Sequence, residues 1–276
     1  MAADGAQAAA EMRTTVTGAG IPPLFFVHGF ACDGTDWSVQ AVALAATNTV
    51  VTCDLPGHGQ SPVPAVDCTV TACATAVLAA LAELALPPAI LIGHSMGCRV
   101  VLEAARLRPE AVAGLVLIDG SRIGDGNPVV AARAMADELA GAGYERFVRQ
   151  FFGSMFVASS DPALQTAITE RALRLSPAVG RTLMADVAGW DAGEVASALA
   201  AVRVPLLAIQ STTMDTARVR VSLSPGEDSP WLDLIRTQVP TARVAELAGA
   251  GHFPQIERAD DVTALIAGVL RSECRQ

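Results

Sequence analysis

The chain has 276 residues, of which 51% are hydrophobic, and a formal net charge of −9 at pH 7. This length predicts one large α/β domain with an insertion, and the composition is sufficient to bury a parallel sheet. The negative charge disfavours nucleic acid and anionic membrane surfaces as partners. All 19 basic residues are arginine, which excludes a Ser-Lys dyad, a lysine Schiff base and a phosphate-binding loop that needs lysine.

The cysteines and the beginning of the chain indicate a cytoplasmic protein. Six cysteines, at positions 32, 53, 68, 73, 98 and 274, contain no C-x-x-C pair, and we expect them to be reduced. The first residues are rich in alanine and do not resemble a secretory leader, and no apolar stretch is suited to span a membrane. The four histidines form no cluster with cysteine, so we expect neither a metal nor a cofactor.

Runs with strand-like and helix-like periodicity alternate along most of the chain. The predicted strands are residues 24–27, 49–53, 89–92, 114–118, 205–209 and 243–247. The predicted helices are residues 37–46, 69–84, 96–107, 231–239 and 260–270. This alternation predicts a mostly parallel α/β sheet flanked by helices, with every strand ending at the edge where open sheets of this kind bind ligands.

The alternation stops between residues 121 and 202. Helix-like runs follow one another there at residues 135–141, 144–156, 162–175 and 177–187. Five of the 12 aromatic residues of the chain lie between Tyr144 and Phe156. We therefore predict a helical insertion at 121–202 within an α/β core formed by residues 1–120 and 203–276.

The pentapeptide Gly93-His94-Ser95-Met96-Gly97 joins a predicted strand to a predicted helix. Its two glycines permit a turn that is too tight for Cβ atoms, and the serine hydroxyl is then exposed at the apex. A strand, a sharp turn and a helix in this order predict that Ser95 is a nucleophile.

A nucleophilic serine needs a base, and the chain offers four histidines. His94 adjoins the serine and should point away from it. His28 and His58 lie in loops after other strands. His252 follows the strand 243–247 in a short glycine loop, from which it can reach the end of a neighbouring strand. We predict that His252 is the base, with a pKa somewhat above ~6.5 because a carboxylate should lie beside it.

Four motifs in this order resemble those of the α/β-hydrolase superfamily, from about Pro23 to the end of the chain. They are His28-Gly29-Phe30, Asp54-Leu55-Pro56-Gly57-His58-Gly59-Gln60-Ser61, Gly93-His94-Ser95-Met96-Gly97 and Gly251-His252-Phe253. The resemblance implies a mostly parallel sheet, a Ser-His-acid triad and an oxyanion hole formed by the backbone N–H groups of Phe30 and Met96. It also implies that Asp54 and His58 shape a loop beside the oxyanion strand.

In this family, an insertion at 121–202 is a lid over the active site. We expect most of its large apolar side chains to form the core of the lid and a few to line an apolar pocket. These residues are Met135, Phe147, Phe151, Phe152, Met155, Phe156 and Trp190. Arg122 stands at the entrance of the insertion, where we expect an ion pair at the hinge rather than a contact with a substrate carboxylate.

The acid of the triad has several candidate positions, because the family places it after one of two strands. Asp119 directly ends the strand 114–118. The strand 205–209 is followed by six residues ending at Asp215, without the expected Gly-x-x-Asp spacing. Asp228 and Glu227 mimic that motif but lie far from the end of the strand. We place the acid at Asp119, since no loop separates it from its strand, and keep the other positions as alternatives.

These residues predict a serine hydrolase for a small and fairly apolar molecule. Ser95, His252 and Asp119 would cleave an ester or a lactone first, and an amide or carbon–carbon bond after that. One alternative is a cofactor-free dioxygenase of the same fold, in which His252 deprotonates an aromatic hydroxyl. Another is a ligand-binding receptor on a hydrolase scaffold.

Overall fold

The computed structural model describes residues 11–64, 68–214 and 219–273. Nine strands are present within these ranges. They are β1 (Arg13–Thr17), β2 (Leu24–Val27), β3 (Val50–Asp54), β4 (Ala89–His94), β5 (Val112–Ile118), β6 (Leu206–Gln210), β7 (Thr212–Met214), β8 (Arg220–Ser222) and β9 (Arg243–Glu246). Seven of them form one sheet in the order β1-β3-β2-β4-β5-β6-β9, while β7 and β8 form a separate ribbon.

The main sheet is parallel except at one edge. β1 pairs antiparallel with β3, and the remaining neighbours pair in parallel from β3 to β9. β4 lies between β2 and β5, so the loop after β4 is placed in the middle of the edge formed by the carboxyl ends of the strands. This is the position at which an open α/β sheet offers a site to ligands.

Helices cover both faces of the sheet and also form the segment between β5 and β6. They are α1 (Ser38–Leu44), α2 (Val70–Glu83), α3 (Met96–Leu107), α4 (Pro128–Ala142), α5 (Tyr144–Gly153), α6 (Pro162–Ala172), α7 (Pro177–Gly193), α8 (Val195–Ala200), α9 (Pro230–Gln238), α10 (Pro254–Glu257) and α11 (Ala259–Glu273). Helices α4 to α8 make up the helical insertion.

Strand residues alternate between two apolar cores. Phe25 of β2 belongs to the larger core with side chains of α2, α3 and α9, whereas Phe26 belongs to the smaller core with side chains of α1 and α11. Both rings are fully buried. A parallel sheet that is covered on both faces needs continuous apolar strands, which explains why its inner strands could be recognised from the sequence.

All six predicted strands are present, with bounds that differ by at most two residues. The strands β1, β7 and β8 were not predicted, because they are short and carry polar residues without a clear alternation. Helix α8 was also not predicted. The predicted helix at 144–156 ends at Gly153, and the following residues form a loop.

Two arginines fasten the insertion to the core through ion pairs. Arg99 of α3 donates two hydrogen bonds of 2.7 Å to Asp191 of α7. Arg171 of α6 pairs with Asp33 at 3.1 Å and with the buried carboxylate of Asp36 in the loop after β2. Breaking a buried pair by removing one partner leaves an uncompensated charge, so these pairs fix where the insertion lies.

We predict opposite effects on stability for two glycine-to-alanine changes. A Cβ atom at Gly97 would lie 2.4 Å from the carbonyl oxygen of Val27, whereas a Cβ at Gly141 in α4 would meet nothing within 4 Å. Gly97→Ala should lower the free energy of unfolding by about 1–3 kcal/mol. Gly141→Ala should raise it by about 0.5–1 kcal/mol. Urea unfolding followed by circular dichroism measures both, and equal effects would show that the turn at Gly97 tolerates a side chain.

Candidate functional site

Ser95 lies at the apex of the turn between β4 and α3. Its backbone has φ +54° and ψ −116°, which is unusual for a residue with a side chain. Its N–H donates a hydrogen bond of 2.9 Å to the carbonyl oxygen of Ile118, the last residue of β5. This bond and the strained backbone hold the serine at the carboxyl edge of the sheet, as the pentapeptide predicts.

Ser95, His252 and Asp119 form a continuous chain of hydrogen bonds. The Oγ of Ser95 is 2.8 Å from Nε2 of His252, and Nδ1 of the same ring is 2.6 Å from Oδ2 of Asp119. A carboxylate accepts hydrogen bonds, so Nδ1 carries the hydrogen and Nε2 is left to accept the serine hydroxyl. This tautomer is the one that a general base needs for deprotonating a serine.

The carboxylate of Asp119 is completely buried and well provided with donors. Its Oδ1 accepts the backbone N–H groups of Ser211 and Thr212, both at 2.8 Å. Its Oδ2 accepts the hydroxyl of Thr212 at 2.6 Å in addition to His252. The segment directly after β6 is therefore shaped around a carboxylate at the end of β5.

These donors keep Asp119 ionised despite its burial. Burial raises the pKa of the carboxyl group, but the hydrogen bond and the charge of His252, together with Arg220 and Thr212, hold that pKa at about 2. The guanidinium of Arg220 lies 3.6 Å from Oδ2. Asp119 is thus a permanent negative charge beside the imidazole.

The pKa of His252 is lowered to about 4, chiefly by burial and next by the positive charge of Arg220. The hydrogen bond to Asp119 opposes this shift without overcoming it. The sequence-based expectation of a pKa above the ordinary value is therefore wrong, because neither the burial of the ring nor the nearby arginine is visible in the sequence. His252 is neutral, and able to accept a proton, over a wide pH range.

The other candidate acids lie elsewhere or outside the described residues. Asp228 pairs with Arg236, and its side chain is 47% exposed. Glu227 accepts the N–H of Ser224 in its own loop. Asp215 falls outside the residues that the structure describes. Of the described candidates, Asp119 is the one that the fold brings to His252.

His94 supports the loop of the candidate base, which sequence reasoning did not anticipate. Its Nε2–H donates a hydrogen bond of 2.7 Å to the carbonyl oxygen of His252, and the two rings are 4.9 Å apart. Burial lowers the pKa of His94 to about 3, so the ring is neutral. The sequence shows a histidine directly before the serine, but it does not show that this histidine contacts His252, which lies 158 positions away.

The insertion also holds the loop of His252. The N–H of His252 donates to the carbonyl oxygen of Met155 at 2.9 Å. Glu257 links the two segments, since it accepts the hydroxyl of Ser160 at 2.6 Å and the N–H of Gly251 at 3.3 Å. Movement of the segment after α5 would therefore change the position of the imidazole.

Phenylalanine rings of the insertion pack around the turn that carries Phe30. Ring centroids of Phe151 and Phe152 lie 6.3 and 6.5 Å from that of Phe30. Phe156 stacks on Phe253, beside His252, at 5.3 Å. Aromatic rings of the insertion thus pack against Phe30 and against Phe253, the neighbour of His252.

The backbone N–H groups of Phe30 and Met96 have no hydrogen-bond partner within the described part of the chain. Met96 is the first residue of α3, where the helical N–H groups lack intrahelical acceptors. Such amides can stabilise a negatively charged oxygen. The structure also shows that Asp54 shapes its loop, because it accepts the N–H groups of Gly34 and Gln60 at 2.8 Å.

Arg122 lies at the entrance of the insertion. It pairs with Asp125 at 2.6 Å, so the ion pair predicted for Arg122 is present. Among the described residues, no group of three or more His, Cys, Asp or Glu side chains is placed to hold a metal ion. The described helices include none with the length and apolar character needed to cross a membrane.

Comparison with known families identifies the class of protein. The model of the alpha/beta hydrolase family matches residues 24–265. The chain belongs to this family and is a hydrolase. The family match spans the serine turn, the helical insertion and the His252 loop.

Individual relatives cover the chain to different extents. A pimeloyl-acyl-carrier-protein methyl ester esterase of Aromatoleum aromaticum is 29% identical over 91% of this chain and 98% of the relative. An acetyltransferase component of the acetoin cleaving system of Pseudomonas putida is 42% identical, but the match spans 39% of this chain and 29% of that protein. The chain therefore matches less than a third of the length of this second relative.

Solved structures share the fold at lower identity. A thermophilic esterase from Thermogutta terrifontis superposes with a TM-score of 0.78 at 24% identity, covering 95% of this chain and 93% of the esterase. The enol-lactonase from Burkholderia xenovorans LB400 has a TM-score of 0.76 at 20% identity, covering 94% and 96% of the two chains. These likenesses extend across the core and the insertion.

Proposed function

We propose that the protein hydrolyses an ester or lactone of a small, fairly apolar molecule through an acyl-enzyme on Ser95. The observation that carries the proposal is the unbroken hydrogen-bond chain from Ser95 through His252 to Asp119. A neutral imidazole oriented by a buried carboxylate is the arrangement that activates a serine. The names of the esterase and lactonase relatives agree with an ester or lactone substrate.

In the proposed reaction, Ser95 attacks the carbonyl carbon while His252 accepts the hydroxyl proton. The negative charge that develops on the carbonyl oxygen is stabilised by the N–H groups of Phe30 and Met96. The imidazolium then gives its proton to the leaving oxygen, and an acyl-enzyme remains. Water, deprotonated by His252, releases the acid and restores the serine.

The helical insertion is proposed to act as a lid that selects apolar substrates. Its phenylalanine rings contact Phe30, whose amide is the proposed oxyanion donor. Aromatic rings at this position would favour small substrates without charge near the reacting carbonyl. The backbone bond between Met155 and His252 would link the position of the lid to that of the base.

The first test of function compares Ser95→Ala with Ser197→Ala. Ser197 is an exposed serine of α8 and serves as a matched control. We expect Ser95→Ala to lower kcat for short p-nitrophenyl esters by at least about 10³-fold with the fold retained, and Ser197→Ala to change nothing. Intact-mass spectrometry should show an acyl adduct on the wild-type protein that Ser95→Ala lacks.

Normal turnover by a folded Ser95→Ala protein would contradict the serine mechanism. It would instead favour the cofactor-free dioxygenase, in which the histidine acts directly on an aromatic hydroxyl. Oxygen uptake with an aromatic hydroxyl substrate separates these two outcomes.

A second prediction concerns pH. The base must be neutral in the free enzyme, and His252 has a pKa of about 4. We therefore expect kcat/KM for an uncharged ester to be level between about pH 5 and 8 and to fall about tenfold per unit well below about pH 4. A midpoint between about pH 6 and 7 would contradict the effect of burial and of Arg220 on this ring.

The acid side of this profile needs a folding control. Burial lowers the pKa of His28, His58 and His94 in the folded protein. The unfolded chain, in which histidine titrates near ~6.5, then binds more protons, so stability falls as the pH drops below that value. Near-ultraviolet circular dichroism at each pH distinguishes protonation of the base from unfolding.

A further inference from the structure

Arg220 reaches the triad from the β7–β8 ribbon. Its Nη1 donates a hydrogen bond of 2.7 Å to Oγ1 of Thr212 and lies 3.6 Å from Oδ2 of Asp119. The guanidinium side chain is 8% exposed, and β8 is placed by its pairing with β7. A buried cation therefore stands directly behind the carboxylate that orients His252.

The bond from Arg220 fixes the direction of a hydroxyl. Thr212 accepts the guanidinium N–H, so its own hydrogen is directed to Oδ2 of Asp119 at 2.6 Å. That same Oδ2 accepts Nδ1–H of His252. A single chain of hydrogen bonds thus runs from Arg220 through Thr212, Asp119 and His252 to Ser95.

Other charged or titratable groups also face His252. Arg99 of α3 also lowers the pKa of His252, but less than Arg220 does, and it is paired with Asp191. His94 of β4 is neutral, and Glu257 of α10 contacts backbone N–H groups of the His252 loop. Within the described residues, Arg220 is the one arginine that forms an ion pair with Asp119, and it has no second carboxylate partner there.

We propose that Arg220 is a positioning residue for the reaction: it orients Thr212 toward Asp119 and sets the pH at which His252 becomes an active base. The inference rests on the proposed function, because it concerns the same three residues. The physical argument is electrostatic. A fixed positive charge near a buried imidazole disfavours the imidazolium and favours the ionised carboxylate, and such charges shift a pKa by about 1–3 units.

Two substitutions at Arg220 separate charge from hydrogen bonding. Arg220→Lys keeps a positive charge, whereas Arg220→Gln keeps a donor for Thr212 and removes the charge. The His252 ring is followed by NMR titration, and its signals are assigned by their loss in His252→Gln. With four histidines in the chain, the ring spectrum is simple.

We expect the midpoint of the His252 titration to lie about one pH unit above the wild-type value in Arg220→Gln. In Arg220→Lys it should stay within about 0.3 pH unit of the wild-type value. The acid side of the kcat/KM profile should move by the same amount. Unchanged midpoints in both variants, or a loss of activity that is equal in both without a shift, would overturn the proposal and indicate a structural role.

A pair of variants at Thr212 tests the hydrogen-bond chain without altering any charge. Thr212→Val removes the hydroxyl, and Thr212→Ser retains it. We expect Thr212→Val to lower kcat by about tenfold with KM within about twofold, and Thr212→Ser to recover most of that loss. Equal kcat values for the two variants would overturn this part of the proposal, even if Arg220→Gln does not fold.

The titration also separates this inference from the proposed function. NMR reports the pKa of His252 whether or not the protein hydrolyses esters. A shifted midpoint in a protein without Ser95-dependent activity would refute the hydrolase proposal and leave the electrostatic role of Arg220 standing. An unshifted midpoint of the His252 titration in an enzyme whose activity depends on Ser95 would refute the role of Arg220 and leave the hydrolase proposal standing.

Discussion

The structure depends on keeping one negative charge, that of Asp119, fully buried at the carboxyl edge of the sheet. A buried carboxylate without partners is strongly unfavourable, and here three donors from Ser211 and Thr212 offset that cost. Those donors are available because the chain directly after β6 passes beside Asp119, which follows the last residue of β5. One set of hydrogen bonds therefore fixes the position of the acid, the orientation of the imidazole and the path of the chain after β6.

The second constraint is the attachment of the insertion to this charge network. Arg99, which follows the serine turn, pairs with Asp191 of the insertion, and Met155 accepts the N–H of His252. Two polar contacts of the insertion thus end within a few residues of the serine or at the histidine itself, while a third attachment runs from Arg171 to the loop after β2. The lid that we propose for this insertion would, when fastened in this manner, exclude water from the reacting carbonyl while it holds the base in place.

Most of the sheet and the positions of all three central residues could be predicted from the sequence, although alternatives stayed open for the acid. The inner strands are apolar because both faces are covered, and the glycines around Ser95 mark a turn that excludes Cβ atoms. His252 followed from its glycine loop. The choice of Asp119 rested on its place at the end of a strand. The structure adds the hydrogen bond between Asp119 and His252, which the sequence cannot show.

Other features arise from tertiary contacts, and no local pattern in the sequence predicts them. The ribbon of β7 and β8 has three-residue strands, too short to show periodicity, and it brings Arg220 to a carboxylate far away in the sequence. The direction of the pKa shift of His252 was mistaken for the same reason. A sequence shows which groups can ionise, but burial and distant charges decide how they do so.

The most direct test of the central claim compares Asp119→Asn with Asp228→Asn in turnover of a p-nitrophenyl ester. Asp228 is a half-exposed carboxylate in an ion pair with Arg236 and provides the matched control. Loss of the carboxylate should leave the imidazole in the wrong tautomer, so kcat should fall on the order of 10⁴-fold in Asp119→Asn. Asp228→Asn should stay within about tenfold of the wild type. A near-normal kcat for folded Asp119→Asn would contradict the account.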